Sequence, residues 1–403
     1  MSLAKPGLGP HGRPDSADRL TPLGVYVHFP WCLRKCPYCD FSSLPIERQA
    51  LPHAAYADAV ISELSRRRAP LGQRRLESVF FGGGTPSLWE PRELGRVLGR
   101  IVASFAPSDA LEVSVECNPS SLDRERARAL VDVGVNRVSI GVQSLDAERL
   151  AFLGRLHDAE GALGAVRDAL AAGVPRVSAD LIFGVHGQAP ADAAREARTV
   201  AELGVEHVSA YALTIEPGTE FGQRARHKSL PLLSDEAVAE SFVAVDDALC
   251  ALGFEHYEIS NYARPGARSR HNLGYWLGRE YLGLGAGAWG TLDGVRYRNT
   301  PAVERYLAAD WGHSELGRSL VPEHEPIDAE TALRERILLG LRLAEGLDLR
   351  AVAQALGVPA WTDERRRAAA RLVERGRLEV DGDVLRIPKH AWLFADGTIA
   401  ALL

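Results

Sequence analysis

The 403-residue sequence contains few cysteines and methionines and has no excess of basic residues. It has five cysteines and one methionine, and its 47 Lys and Arg residues face 53 Asp and Glu residues, for a net charge of −6. Without a basic excess the chain has no general electrostatic affinity for nucleic acid, so we expect no nucleic-acid partner. An odd number of cysteines, with no export signal, argues against a disulfide framework.

Long apolar runs are also absent. No stretch approaches the ~18–20 apolar residues that a membrane-spanning helix needs. Residues 1–20 are polar and lack the apolar core of a signal peptide, so they are predicted to form a disordered tail. These features predict a cytoplasmic protein with no transmembrane segment, associated with the inner face of the membrane at most peripherally.

What the sequence does contain is a repeated pattern of short β-branched strands and longer amphipathic helices, typical of an α/β protein with a parallel sheet. Periodicity alone fits either a partial barrel or a doubly wound sheet. Residues 21–262 are predicted to form this core, 263–325 a connecting region, and 326–403 a small helical, winged-helix-like C-terminal domain. The six strands are predicted at 23–29, 76–81, 111–116, 136–142, 176–183 and 206–213.

Three of the five cysteines lie within eight residues, directly after the first predicted strand. Cys32, Cys36 and Cys39 can wrap one loop around a metal centre. Thiolates are the usual ligands of iron–sulfur clusters, and three of them leave one iron of a [4Fe–4S] cluster open to an exchangeable ligand. The alternative is a Cys₃His zinc site completed by His28.

The CxxxCxxC spacing after the first strand of a sixfold strand–helix pattern resembles the radical S-adenosylmethionine superfamily. This resemblance implies a partial (β/α)₆ barrel, a [4Fe–4S] cluster and bound S-adenosylmethionine. In that superfamily the amino and carboxylate groups of S-adenosylmethionine chelate the open iron. An electron from the cluster then cleaves a C–S bond to give the 5′-deoxyadenosyl radical.

Polar residues at or near the ends of five successive predicted strands support a single ligand pocket, because barrel enzymes build their sites at that face. The segments YVHFPWC, GGGTPS, ECNPSSL, GVQS and DLIFGVHGQ resemble the HemN-like branch of the superfamily. Carried over residue by residue, the resemblance implies that the S-adenosylmethionine site is lined by Tyr26, Tyr38, Gly83, Gly84, Thr85, Glu116, Gln143, Arg155 and Asp180.

The segment HNLGYW, residues 271–276, matches the HNxxYW motif of the HemW heme-chaperone subfamily within that branch. The resemblance implies heme binding by His271, Asn272, Tyr275 and Trp276. Imidazole is a usual axial ligand of heme, and aromatic faces stack on porphyrins. The iron ligand stays open among His271, His11 and His28, and arginines 268, 270 and 279 are candidates to pair with the propionates.

The sequence therefore predicts a heme chaperone that transfers heme to acceptor apo-proteins such as respiratory enzymes and takes electrons from a separate donor. The alternative is an oxygen-independent coproporphyrinogen III dehydrogenase that carries out radical oxidative decarboxylation. Against it, the dehydrogenase has a further cysteine two residues after the third cluster ligand, where this chain has Phe41. A third interpretation is a radical enzyme acting on another substrate, with HNLGYW purely structural.

Overall fold

The computed structural model describes residues 21–72, 74–311 and 320–403. The predicted disordered tail, 1–20, lies outside the described residues, as does part of the predicted connecting region. Most of the described strands belong to one mixed twelve-stranded sheet. Its strands are β1 Pro22–Phe29, β2 Arg75–Gly83, β3 Ala106–Cys117, β4 Arg137–Gln143, β5 Arg176–Phe183, β6 His207–Ala212, β7 Glu255–Glu258, β8 Asn261–Ala263, β9 Tyr281–Leu284, β10 Trp289–Leu292, β11 Val295–Arg298 and β12 Glu323–Pro326.

Helices follow the strands and cover one side of the sheet. Several begin at the polar cap residues that the sequence supplies; for example, the carboxylate of Asp123 accepts a hydrogen bond from the Arg126 amide over 2.7 Å. The helices are α1 His53–Arg68, α2 Pro91–Val102, α3 Arg124–Asp132, α4 Ala147–Phe152, α5 Ala159–Ala171, α6 Pro190–Glu202, α7 Glu220–Arg226, α8 Asp235–Ala251, α9 Arg270–Trp276, α10 Val303–Leu307, α11 Ala329–Gly340, α12 Leu349–Leu356, α13 Asp363–Glu374 and α14 Ala395–Ala400.

The six predicted strands are β1 to β6, and they lie side by side in chain order with parallel pairing. A doubly wound sheet reverses its strand order at a switch point, whereas this order runs in one direction only. The predicted α/β fold is thus confirmed, in its partial-barrel form. Along β1, Leu23, Val25 and Val27 are buried in the main apolar core, while Tyr26 and His28 line the interior of the barrel.

The predicted connecting region also contributes strands to the main sheet. Its strand β9 pairs in parallel with β1, and β10, β11 and β12 extend the sheet as antiparallel neighbours. On the opposite edge, β8 and β7 follow β6 in antiparallel order. Helix α9, which contains HNLGYW, packs against β2 beside the start of the parallel sheet.

The C-terminal segment has an apolar core of its own, built around Leu333, Ile337, Leu349, Leu372 and Leu385. Helices α11, α12 and α13 surround this core together with a small antiparallel sheet, whose strands are β13 Leu347–Asp348, β14 Glu379–Asp381 and β15 Val384–Arg386. In this segment the helices are followed by a β-hairpin formed by β14 and β15. Across the described ranges, no helix combines the length and apolarity needed to cross a bilayer.

Candidate functional site

A cavity of about 740 Å³ lies at the carboxyl ends of the parallel strands and is also lined by residues near the C-terminus such as Trp392. It brings together residues that are far apart in the sequence. The sequence-predicted site residues on its wall are Cys32, Cys36, Tyr38, Cys39, Gly83, Gly84, Thr85, Glu116, Gln143, Arg155, Asp180, Asn272 and Trp276.

The cysteine loop lies over this cavity, held by a short parallel pairing of Trp31–Cys32 with Leu44–Pro45. Two of its sulfur atoms have hydrogen-bond donors. The Thr85 hydroxyl is 3.3 Å from Cys32 Sγ, and Arg155 Nη1 is 3.5 Å from Cys36 Sγ. Such donors favour thiolate and stabilise electron-rich sulfur in iron–sulfur proteins. The donor set therefore fits a cluster held by three cysteines.

Burial sets the protonation of the free thiols. It raises the pKa of Cys32 and raises that of Cys39 to about 11. In the free loop these groups therefore keep their protons at neutral pH. Because a metal centre binds thiolate, loading the loop releases those protons, and loading becomes easier as the pH rises.

His28 is not available to complete a zinc site. Its Nδ1 lies 2.8 Å from the Tyr26 hydroxyl, and its Nε2 lies 2.7 Å from the Ser42 carbonyl oxygen. Burial lowers the pKa of His28 to about 4, so the ring is neutral and both nitrogens are engaged. Among the described residues, no group of three His, Cys, Asp or Glu side chains is arranged to hold a single metal ion. The Cys₃His arrangement is therefore not formed.

The glycine turn GGGTPS, residues 82–87, is tightly packed against the chain itself. Gly83 has φ of +107°, and a Cβ there would meet the His28 ring at 2.4 Å; a Cβ on Gly84 would meet the Trp31 carbonyl oxygen at 2.5 Å. The Gly84 amide donates to the Phe29 carbonyl over 2.7 Å. Glycine is thus required here by the fold, and the same turn presents its backbone to the cavity.

Two partly buried carboxyl groups, those of Glu116 and Asp180, line both cavities. Glu116 Oε2 accepts a hydrogen bond from the Gly83 amide over 2.9 Å, and burial raises its pKa to about 8. Asp180 accepts from the Ser139 hydroxyl over 2.9 Å, and burial also raises its pKa. These groups can accept hydrogen bonds from hydroxyl or amino groups of a ligand, and a bound donor would favour their ionised form.

Gln143 and Arg155 complete the side of the cavity next to the cysteine loop. Gln143 has φ of +66°, an uncommon value for a residue with a side chain, and it follows a register shift between β4 and β5. Arg155 Nη2 donates to the Gly141 carbonyl over 2.9 Å, which fixes its guanidinium beside Cys36, while its Nε has no hydrogen-bond partner in the part of the chain that the structure describes.

A second cavity of about 520 Å³ shares Gly83, Glu116, Asp180 and Asn272 with the first and extends into the barrel. The predicted site residues Tyr26 and Tyr275 line this second cavity. Tyr26 lines this second cavity and not the first, whereas the other residues assigned to S-adenosylmethionine all line the first.

The HNLGYW segment is helical, and its members are placed differently. His271 is 2% exposed; its Nδ1 is 2.9 Å from the Ser78 hydroxyl and its Nε2 is 2.8 Å from the Tyr275 hydroxyl. Burial lowers the pKa of His271 to about 3. Unlike Asn272, Tyr275 and Trp276, His271 lines neither large cavity. The expected direct contact of His271 with heme is therefore not available in this arrangement, since both ring nitrogens are occupied.

Residues that the sequence did not single out also line the main cavity. Glu258, Asn261 and Arg342 come from β7, β8 and the end of α11, and lie beside Trp276. Phe41, which is 56% exposed, lies at the mouth of both cavities. Of the arginines proposed for propionates, Arg268 is paired instead with Glu255 and Glu345. No local motif marks this group, because Arg342 lies more than eighty residues after Glu258 and Asn261.

The fold and sequence both have close counterparts. Residues 26–210 match the radical SAM superfamily and 327–394 match the HemN C-terminal domain. The structure of coproporphyrinogen III oxidase (HemN) from Escherichia coli superposes with a TM-score of 0.78 at 20% identity, covering 95% of this chain and 90% of that one. This likeness bears on the fold alone.

Sequence relatives are more specific. The heme chaperone HemW of Mycobacterium tuberculosis is 36% identical over 95% of each chain. The heme chaperones HemW of Bacillus subtilis and Escherichia coli are 35% and 37% identical, over 83% and 70% of this chain and 86% and 74% of theirs. At this identity and coverage, the chain belongs to the HemW heme chaperone family of the radical SAM superfamily.

Proposed function

We propose that this protein is a heme chaperone that binds heme, a [4Fe–4S] cluster and S-adenosylmethionine, and transfers heme to acceptor proteins. Besides family membership, one structural observation supports the proposal. The three cysteines of the loop and two members of the HNLGYW helix, Asn272 and Trp276, line one continuous cavity. A single site can therefore hold a redox centre and an aromatic ligand next to each other.

Cys32, Cys36 and Cys39 would hold the cluster. A bound cluster of this type supplies an exchangeable iron position and an electron for cleaving S-adenosylmethionine. Arg155 and Thr85 donate toward two of the sulfur atoms, so their removal would destabilise the charged thiolates. The electron itself would come from a separate donor.

S-adenosylmethionine would bind along the wall between the glycine turn and Arg155. Gly83, Gly84 and Thr85 offer backbone and hydroxyl groups there, and Glu116 and Asp180 offer partly buried carboxylate acceptors. We assign Gln143 and Tyr38 to the same site, together with Tyr26 from the adjoining second cavity. The raised pKa values of the carboxyl groups mean that ligand hydrogen bonds must compensate for ionising them at neutral pH.

Heme would contact Asn272, Tyr275 and Trp276, because these members of the motif reach the cavities. We assign His271 a positioning role in this arrangement: it links Ser78 on β2 to the Tyr275 hydroxyl and so fixes the helix that carries the other three residues. Direct ligation by His271 would require the imidazole to leave both partners.

The acceptors that we propose are heme-requiring apo-proteins, with respiratory enzymes as the first candidates. We also propose a cytoplasmic location with peripheral association at the inner face of the membrane. This arrangement would bring the chaperone close to membrane-bound acceptors.

The test is a comparison of heme binding with porphyrinogen turnover by anaerobically reconstituted protein. We expect saturable binding of ferric heme, and no decarboxylation of coproporphyrinogen III in the presence of S-adenosylmethionine and a low-potential reductant. Trp276→Ala should weaken heme binding, whereas Trp361→Ala, outside the cavity wall, should not. Turnover of the porphyrinogen would replace the chaperone proposal with the dehydrogenase alternative.

A further inference from the structure

Four neighbouring residues each carry a buried polar atom that has no hydrogen-bond partner among the described residues: Glu258 Oε2, Asn261 Oδ1, Trp276 Nε1 and Arg342 Nε. All four residues line that cavity. Leaving buried polar atoms unpaired costs free energy, and native proteins keep few of them. Their concentration at one place in a ligand cavity indicates a subsite built for a polar group of the ligand.

The subsite is held rigidly at the junction of the sheet and the C-terminal segment. The chain after α11 pairs with the end of β7 through a bridge between Glu258 and Leu343, and the Ala344 amide donates to the Tyr257 carbonyl over 3.0 Å. These backbone contacts place Arg342 over the face of the Trp276 indole, 4.7 Å from the ring centroid. The guanidinium is thus placed over the indole ring that carries the Nε1–H donor.

We propose that Arg342 and Trp276 form a carboxylate-binding subsite that receives a propionate of the porphyrin. Both free atoms, Arg342 Nε and Trp276 Nε1, are hydrogen-bond donors, and one of them belongs to a permanent cation. A carboxylate satisfies two adjacent donors and the positive charge at once. The inference rests on the proposed heme function and deepens it, since Arg342 lies outside the HNLGYW motif.

Glu258 attracts the Arg342 guanidinium electrostatically but does not form a hydrogen bond with it. Its Oε2 is 3.9 Å from Arg342 Nη2, beyond hydrogen-bond distance, while its Oε1 accepts from the Ser260 amide over 3.1 Å. Burial raises the pKa of Glu258. Glu258 is therefore protonated more easily than a surface glutamate. In its protonated form it repels an incoming carboxylate less and supplies a third hydrogen-bond donor.

The experiment varies the ligand and the protein together. Ferric heme and its dimethyl ester, which lacks free carboxylates, are titrated into the cluster-loaded protein and into Arg342→Gln, with absorption spectra as the readout. We expect Arg342→Gln to weaken heme binding on the order of tenfold and to change binding of the ester less than about twofold. The matched control is Arg334→Gln, which removes an exposed arginine from the same α11 segment and should change neither.

Trp276→Phe keeps a smaller aromatic face and removes the indole N–H; loss of the N–H should weaken heme binding more than ester binding, whereas loss of ring area should weaken both alike. Thermal unfolding and the cluster spectrum check that each variant is folded. S-adenosylmethionine, which also has a carboxylate, is titrated in parallel and should bind Arg342→Gln as it binds the unchanged protein. Loss of S-adenosylmethionine affinity without loss of heme affinity would assign the subsite to the other carboxylate and overturn the inference.

The outcomes also separate this inference from the function on which it rests. Equal weakening of heme and ester binding in Arg342→Gln would overturn the carboxylate subsite and leave the heme chaperone proposal in place. Absence of binding of either compound to the unchanged protein would overturn both.

Discussion

His271 and Tyr275 are joined by a 2.8 Å hydrogen bond between the imidazole Nε2 and the phenolic hydroxyl. They lie four residues apart, on one face of helix α9, and their rings meet edge-on at 4.8 Å between centroids. The other imidazole nitrogen contacts Ser78 on β2. Within the motif, the histidine thus anchors the helix to the sheet, and the tyrosine separates it from the second cavity.

Replacement of His271 tests whether it positions the helix or binds iron. His271→Gln leaves the Tyr275 and Ser78 hydroxyls without their present partner, and should lower the free energy of unfolding by about 1–3 kcal/mol. Because the imidazole is not free, we expect the absorption and electron paramagnetic resonance spectra of bound ferric heme to keep the ligand signature of the unchanged protein. A changed spin state with unchanged stability would identify His271 as the axial ligand.

The Glu116 carboxyl predicts a specific pH dependence of stability. Its pKa of about 8 in the folded protein lies above the ordinary value of 4.5, so its neutral form favours folding. This contribution is complete below about pH 4.5 and is lost as the pH rises through 8, at up to about 1.4 kcal/mol per pH unit. Denaturant unfolding of the apo-protein at pH 5.5, 6.5 and 7.5 should show a steeper decline than that of Glu116→Gln. Parallel curves would show that Glu116 is not the cause.

Adding one methyl group should have opposite effects on stability at a glycine of the tightly packed turn and at a glycine of helix α5. Gly84→Ala forces Cβ against the Trp31 carbonyl oxygen and should destabilise the fold by about 1–3 kcal/mol, with loss of S-adenosylmethionine affinity. Gly164→Ala is the control. A Cβ at this position in α5 would meet no described atom within 4 Å outside its own helix turn, so the change should stabilise the protein by up to about 1 kcal/mol. Equal effects at the two positions would contradict the packing argument.

The regular part of the fold could be predicted because its signals are local. Strand β5 has the predicted bounds, Arg176–Phe183. The start of β3 was placed five residues too late, since its first residues, from Ala106, are partly exposed and include proline and aspartate. Pairing of β9 with β1 joins segments more than 250 residues apart, which no periodicity reveals.

The candidate site likewise contains some residues that local sequence predicts and others that it does not. The cysteine loop and the glycine turn are short continuous segments with a characteristic residue spacing, so they could be identified from the sequence alone. The position of His271 behind Tyr275, and the convergence of Glu258 with Arg342, depend on how α9 and the end of α11 pack against the sheet. Such contacts form between distant segments and leave no pattern in either one.

The central claim is that three cysteines hold an iron–sulfur cluster with one open iron position. The most direct measurement is iron and sulfide analysis of anaerobically reconstituted protein, with electron paramagnetic resonance of the reduced protein before and after addition of S-adenosylmethionine. We predict about four iron and four sulfide per chain, a shift of the cluster signal on adding S-adenosylmethionine, and loss of both in Cys36→Ser but not in Cys250→Ser. Absence of iron and sulfide, or a zinc ion with four protein ligands, would contradict the account.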